Sequence, residues 1–385
     1  AVVPHLKDAV VIQFDEVIDE MATGGAAAGG LDRQVLLSPV SGPVRVEWHR
    51  TNISVKPKEG WKRRVYRLEI LPGFFDLRRN RLDSAKTVLF TTGPEIGHAR
   101  LGGIALRWIE QTTLPRALIE AVPLPDSVGY RTLADSGGQF NIENLQPGQY
   151  IVYALADENG DRKRGLREAY DSMQVRVDSS SNVALYAFPH DTIPPRPRVA
   201  TYVDSITIRV EFSQALDPSA SFDTAHVHVL QLPDSTPLAI AAVFTQRQYD
   251  SVSNAARQKA DSAAAAARDS AGRRDSVPPP RIHPTVPPSP VPATPPRRGA
   301  AAQTPKAPPV DTALVRQLLA RRPIPSDKIV VRLARAMKAE TRYVVRIQGA
   351  TNLMATKGDG DVSFTVPKPN APADSTQRAP RTTPP

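Results

Sequence analysis

The chain has no cysteine among its 385 residues. That excludes disulfides, thiolate metal sites and cysteine nucleophiles together. It also fits a protein exported from a bacterium, where stray oxidation is a hazard. Apolar runs near the 18 or so residues that span a bilayer are missing too. The longest alanine tract, Ala263 to Ala267, lies between Asp261 and Arg268. No secretory signal stands at Ala1. Serine-hydrolase, zinc-protease, phosphate-loop and dinucleotide fingerprints are all absent. Without such signatures, a non-enzymatic protein is expected.

What the chain does contain is a phrase written twice. FDEVID, Phe14 to Asp19, follows AVVIQ, and FSQALD, Phe212 to Asp217, follows TIRVE. The first is followed by LDRQVLLSPV, VRVEW, NISVKP, RRVYRLEILPG, DLRRNRL and TVLFTTG. The second is followed by DTAHVHVLQLP, LAIAAVF, KIVVRL, TRYVVRIQGATNL and DVSFTVP. Each phrase is short, alternates apolar with polar residues and ends in turn chemistry, the signature of half-buried strands in a sandwich. Two related domains are predicted.

The copies differ in length. Phe14 to Tyr66 covers 52 positions and Phe212 to Tyr343 covers 131, so the second copy carries 79 extra residues. Composition places them at 248–326. Thirteen of the 38 prolines fall between Pro278 and Pro309, behind the alanine-rich ARQKADSAAAAARDSAGRRD. Proline runs do not join ladders and favour extended, solvated conformations. After them, DTALVRQLLARR predicts a short helix capped by Asp311 with Leu314, Val315, Leu318 and Leu319 on one side. The insertion as a whole is expected to be a mostly disordered excursion from a sandwich loop, which closure entropy tolerates. It holds 12 basic residues against 5 aspartates, or +7 of the chain's +10. Such an arm acts as an extended spacer or touches anionic polymers without specificity. Its proline run lacks aromatics, which argues against nucleic acid.

These copies resemble bacterial Ig-like domains of the surface-layer (SbsA) type. FDEVID, VYRLEILPG, DLRRNRL and FTTG carry the resemblance over residues 1–93. In the second copy, FSQALDP is close, whereas NLMATKGDGDVSFTVP departs from the closing pattern. The second copy also has a lead-in, TIPPRPRVATYVDS, that the first lacks. The natural N-terminus is therefore expected to have been lost, together with any signal or membrane anchor. The resemblance implies an exported, envelope-attached protein with a structural or binding role.

Between the copies, Asp135, Gly138, Phe140, Ile142, Leu145, Pro147, Gly148 and Tyr150 match D-x-x-G-x-[FY]-x-[FIL]-x-x-[LV]-x-P-G-x-Y. This resembles the carboxypeptidase regulatory-like, transthyretin-like sandwich, an accessory domain without peptidase residues. Phe140, Ile142, Leu145 and Tyr150 are its expected core. Pro147-Gly148 is expected to form a type II turn with glycine at positive φ.

The expected architecture is all-β. It comprises an Ig-like domain at 1–95, a transthyretin-like sandwich at 99–189, and a second Ig-like domain at 190–247 plus 327–367. The insertion at 248–326 interrupts that last domain, and a disordered tail occupies 368–385.

One stretch has metal-like spacing. In DENGDRKRGLRE, Asp157, Asn159, Asp161 and Glu168 stand at positions 1, 3, 5 and 12 of a calcium loop. Position 6, usually glycine, is Arg162, and Lys163, Arg164 and Arg167 add positive charge. The alternative is an acidic turn neutralised by its basic neighbours. Calcium is the one cofactor the sequence suggests. His226 and His228 would share a strand face but lack a third ligand. Asp359 and Asp361 read as hairpin-turn residues with a secondary option as cation ligands. Trp48 and Trp61 could stack on sugar, although a sandwich tryptophan more often packs in the core.

The functional expectation is a cell-envelope scaffold or adhesion protein, in the periplasm or on the surface. The alternatives are a module binding envelope glycans or other surface proteins, and an accessory region of a larger exported enzyme. Strand-edge pairing between copies of the chain stays open.

Overall fold

The computed structural model describes residues 2–3, 6–19, 31–165, 168–220, 222–272 and 311–368. The fold is all-β, with two helices among these residues. The chain folds into two units. The first comprises Ala1–Thr192 and Pro308–Pro325; the second comprises Ile193–Ala307 and Ser326–Pro385.

The first unit begins with β1 (Val10–Gln13), β2 (Val35–Ser38), β3 (Val44–His49), β4 (Asn52–Pro57), β5 (Val65–Ile70) and β6 (Lys86–Thr91). They form two three-stranded sheets, β1-β4-β3 and β2-β5-β6. Ile53, Val55, Tyr66, Leu68 and Phe90 are buried in one core cluster. Alternation along β4 puts Ile53, Val55 and Pro57 inside. By contrast, β2 and β5 are buried at every position.

The same unit continues with β7 (Ala99–Arg107), β8 (Thr112–Thr113), β9 (Leu118–Pro123), β10 (Tyr130–Leu133), β11 (Gln139–Leu145), β12 (Gly148–Leu155), β13 (Ala169–Val177) and β14 (Ser180–Pro189). Their order is β10-β9-β12-β13-β14-β7-β11, with β8 on β7. β13 and β14 pair only at Ala169–Pro189 and Tyr170–Phe188, so the ribbon folds there into two layers. Phe140, Ile142, Leu145 and Tyr150 lie in the core between them, as expected from the motif. Asp135 Oδ1 accepts from Gly137 N and Gln139 N, both at 2.8 Å. Gly138 takes φ +79°, and a Cβ there would lie 2.6 Å from the Ala105 carbonyl oxygen. The turn at Pro147 differs from expectation. Gly148 opens β12 without positive φ, and the left-handed residue is Asn144, at φ 62°, where the β11 register shifts.

The first and middle sandwiches meet through polar groups. Arg131 N donates to Ser38 Oγ at 3.0 Å, and Thr132 Oγ1 donates to Glu69 Oε2 at 3.0 Å. Glu69 also receives Arg67 Nε at 3.4 Å, with both side chains largely shielded. This joint covers the outer face of β2 and β5, which explains their continuous burial. A buried ion pair needs such added hydrogen bonds, because desolvation offsets much of its attraction.

The second unit contains β15 (Pro197–Asp204), β16 (Thr207–Leu216), β17 (Val227–Gln231), β18 (Thr236–Leu238), β19 (Ile240–Thr245), β20 (Ser326–Leu333), β21 (Arg342–Thr351) and β22 (Lys357–Thr365). Its sheets are β15-β16-β20-β19 and β18-β17-β21-β22. Without β15 and β18, the orders β16-β20-β19 and β17-β21-β22 reproduce β1-β4-β3 and β2-β5-β6. The repeat in sequence is thus a repeat in topology. The end of each repeated phrase bridges to the segment after the corner-tyrosine strand, Ile18 to Asp76 beyond β5 and Leu216 to Asn352 beyond β21. Asp76 and Asn352 hold equivalent turns. Arg79 N donates to Asp76 O and Ala355 N to Asn352 O, both at 3.0 Å, with Arg79 at φ 66° and Ala355 at φ 58°. NLMATKG therefore builds the same turn as DLRRNRL with different residues. Asp359 and Asp361 are strand residues of β22, not turn residues as expected. Asp359 Oδ1 accepts from Gly349 N at 2.6 Å, and Asp361 pairs with Arg346 at 3.1 Å.

The insertion separates β19 from β20, whose equivalents β3 and β4 are joined by Arg50 and Thr51 alone. Its described residues include two helices, the second where DTALVRQLLARR predicts one; 273–310 and the tail from 369 lie outside the described residues. Helix α1 (Gln246–Gly272) follows β19 directly. It starts from a reciprocal cap in which Gln248 N donates to Thr245 Oγ1 and Thr245 N to Gln248 Oε1. Helix α2 (Thr312–Leu319) is capped by Asp311, whose carboxylate accepts from Ala313 N at 2.9 Å and Leu314 N at 3.1 Å. Leu318 and Leu319 are buried against Ile104, Leu106 and Tyr186 of the middle sandwich, with Val315 beside them. Burying two leucines stabilises this docking by about 3–6 kcal/mol before ordering entropy. Leu314, expected on the same side, stays 42% exposed.

Candidate metal centre

The calcium-like loop joins β12 to β13. Its neck is closed by Ala156 N donating to Ala169 O at 2.8 Å. Inside it, short polar side chains bend the backbone by accepting from amides further along. Asn159 Oδ1 accepts from Asp161 N and Asp161 Oδ1 from Lys163 N, each at 2.7 Å. Asp157 Oδ2 accepts from Arg162 N at 3.2 Å. Glu168 returns from the start of β13. Its two carboxylate oxygens accept from Glu158 N at 3.2 Å and Gly165 N at 3.0 Å.

These bends bring Asp157, Asp161 and Glu168 together, with ligand oxygens within 4.8 Å of one another. Asn159 stands beside them, its Nδ2 donating to Asp161 Oδ2 at 3.2 Å. Glu168 is 7% exposed. Asp157 Oδ1 is shielded from solvent and has no hydrogen-bond partner among the described residues. Burial pushes the Asp157 carboxyl above its ordinary range, and the negative charges of Glu168 and Asp161 push the same way. A hard cation would relieve both effects, and the donor set is all oxygen. The residues present fit calcium.

Arg162 stands where a calcium loop usually has glycine, yet it adopts φ 59°, the left-handed conformation that glycine supplies there. Its guanidinium points out of the loop. Nη1 donates to Val35 O at 3.0 Å and Nη2 to Arg33 O at 2.6 Å. Arg164 is also engaged, 3.9 Å over the ring of Tyr153. Arg162 and Arg164 are thus held by groups outside the loop. Arg167 lies outside the described residues.

The loop also borders a cleft of about 570 Å³, lined in part by Arg33, Ser41, Arg131, Arg162 and Lys163. Sequence reasoning missed this cleft, because its walls come from two sandwiches.

The other marked residues carry no such site. His226 sits in a 3-10 turn before β17, its Nδ1 2.9 Å from Asp223 Oδ1, while His228 is an exposed residue of β17. They do not share a strand face. Trp48 and Trp61 pack against the first core. Trp61 Nε1 donates to Asp8 O at 2.8 Å, and its ring meets Tyr66 edge-on at 4.9 Å.

No family model matches the chain, and no curated protein does. Among solved structures, a DUF3823 family protein from Parabacteroides merdae is 13% identical, over 36% of this chain and 67% of that one, with a TM-score of 0.20. BcpA, the major pilin subunit of Bacillus cereus, is 10% identical over 48% of this chain and 60% of its own, with a TM-score of 0.19. A DUF3823 family protein from Bacteroides uniformis is 8% identical over 70% of this chain and 100% of that one, also at 0.19. Likeness at this level assigns neither family nor activity. The sheet orders above carry the fold. Among the described residues, no helix is long and apolar enough to cross a membrane.

Proposed function

We propose that this chain is a non-catalytic structural module of a bacterial cell envelope, a scaffold or adhesion element. In this reading a calcium ion in the Asp157–Glu168 loop stiffens the joint between its first two sandwiches. The SbsA-type and transthyretin-like resemblances point to the envelope. The observation that carries the calcium role is Arg162. The loop that gathers three carboxylates also grips Val35 O and Arg33 O of the first sandwich. Ordering the loop therefore orders the grip.

The test is calorimetric titration of calcium into the chelator-treated chain, followed by thermal melts. We expect saturable binding and a higher melting temperature, with about 2.7 kcal/mol of added stability at a hundredfold excess over Kd. Asp157→Asn removes both effects. Absence of calcium binding by a folded chain overturns the metal reading. Uniformly cytosolic protein in fractionated cells overturns the compartment.

The sign of the pH effect is fixed by the raised Asp157 carboxyl. Without metal, the folded state keeps its proton to higher pH than the unfolded state. Its contribution to stability is therefore fully present below the unfolded value near ~3.9 and declines as pH rises through the raised one. Calcium requires the carboxylate, so the calcium-induced rise in melting temperature should grow over that interval. A rise independent of pH across it would remove Asp157 from the site.

The cleft beside the loop favours a second reading, binding of an anionic envelope polymer. Arg33, Arg131, Arg162 and Lys163 line it. Co-sedimentation with envelope fractions across a salt series tests it, with Lys163→Glu as the variant. Binding unchanged by that variant would place the contact elsewhere, including the basic insertion.

A further inference from the structure

We propose that α2 and the residues after it form a releasable latch on the outer face of β7 and β14, which covers Ile104, Leu106, Trp108 and Tyr186 when docked and uncovers them when released. Helix α2 belongs to the first unit although β19 and β20, the strands before and after it in the chain, belong to the second.

The lock has an apolar part and a polar part. Leu318 and Leu319 rest on Ile104, Leu106 and Tyr186, in a cluster separate from the middle sandwich's own core. Tyr186 Oη donates to Leu318 O at 2.8 Å, and Trp108 Nε1 donates to Pro323 O at 3.1 Å. Arg322 lies over two rings, 4.3 Å from that of Tyr186 and 5.5 Å from that of Trp108. The middle core closes without the helix, so undocking α2 does not require unfolding the sandwich.

Release follows from the size of the element. An eight-residue helix is marginal by itself, so α2 is helical because it is docked. Only two of its side chains are buried. An element with few buried contacts opens well below the global unfolding free energy. The latch is therefore expected to open while both units stay folded.

The test uses the full chain and the paired variant Leu318→Asp with Leu319→Asp. Trypsin cleavage after Arg316 and Arg321 should become about tenfold faster or more, because docking no longer protects them. The Trp108 component of the fluorescence, identified by its loss in Trp108→Phe, should shift to longer wavelength. The milder Tyr186→Phe keeps the ring and loses the Leu318 bond, and should speed cleavage by a smaller factor.

Equal cleavage and emission in the double variant and the wild type would show that α2 is not docked in solution, and would overturn the proposal. Faster cleavage with unchanged Trp108 emission would show that the docked helix does not cover Trp108, and would overturn the latch. A concentration-dependent wild-type dimer dissolved by the double variant would mean that α2 docks on a second copy, which overturns a latch within one chain. Retained cooperative melting of both units in the double variant separates these outcomes from misfolding.

Discussion

The first and last sandwiches share one strand order and differ in what lies against them. In the first, β2 and β5 are buried on both faces, because the middle sandwich covers the outer one. In the last, the equivalent β21 alternates buried with more open positions, and its outer face keeps access to water. Counting from the corner tyrosines makes the contrast specific. Glu69 stands three residues after Tyr66, is 5% exposed, and binds Arg67 and Thr132. Arg346 stands three after Tyr343 and holds an exposed pair with Asp361. One topologically equivalent position is a joint in one copy and a solvated face in the other. Topology is thus set by the inward residues, which the copies share in kind, and assembly by the outward ones, which they do not.

Glu69→Ala should produce the largest effect. It leaves Arg67 shielded without its carboxylate and Thr132 without its acceptor. Loss of one partner of a buried pair costs about 3 kcal/mol or more. The melt of the first unit should fall accordingly and that of the second should stay in place. A loss under about 1 kcal/mol would show that the joint opens to water in solution and that its polar groups are solvated there.

That joint was not legible in the sequence. VYRLEI reads as an ordinary alternating strand, with Arg67 and Glu69 facing water by type. Their burial depends on partners some sixty residues away, which periodicity does not encode. The repeat itself was legible, because inward side chains recur with period 2 and the phrase before each crossover ends in a buried aliphatic, Ile18 or Leu216. The metal-like loop was half legible. Its spacing gave Asp157, Asn159, Asp161 and Glu168, but arginine does not announce a φ of 59°, so Arg162 read as an obstacle and proved to be the grip. The stripe of α2 was visible as well. Its receptor was not, since Ile104, Leu106 and Tyr186 lie in strands whose opposite faces already fill a core.

Removing the corner hydroxyls should give smaller effects. Tyr66 and Tyr343 are each 1% exposed. Lys62 N donates to Tyr66 Oη at 2.8 Å, and Lys338 N donates to Tyr343 Oη at 2.9 Å. Both bonds tie the start of the strand back to the segment before it, as in other tyrosine corners. Phenylalanine keeps the packing and loses the bond, a change of about 1 kcal/mol. Differential scanning calorimetry should show Tyr66→Phe moving only the transition of the first unit and Tyr343→Phe only that of the second. Movement of both transitions by either variant would mean that the units unfold as one, and the comparison between copies would lose its thermodynamic basis.

Arg346→Ala should have the smallest effect and sharpens the contrast with Glu69 most directly. Its guanidinium meets Asp361 across β21 and β22 with side chains 48% and 47% exposed. Charges so placed are screened by water and salt, and the entropy of holding two long side chains offsets much of their attraction. The melting temperature of the second unit should therefore change within experimental error, at both low and high salt. A marked loss, comparable with that of Glu69→Ala, would mean that the outer face of β21 is covered in solution. The face would then belong to an interface with another copy or another protein, and the last sandwich would carry a joint of its own.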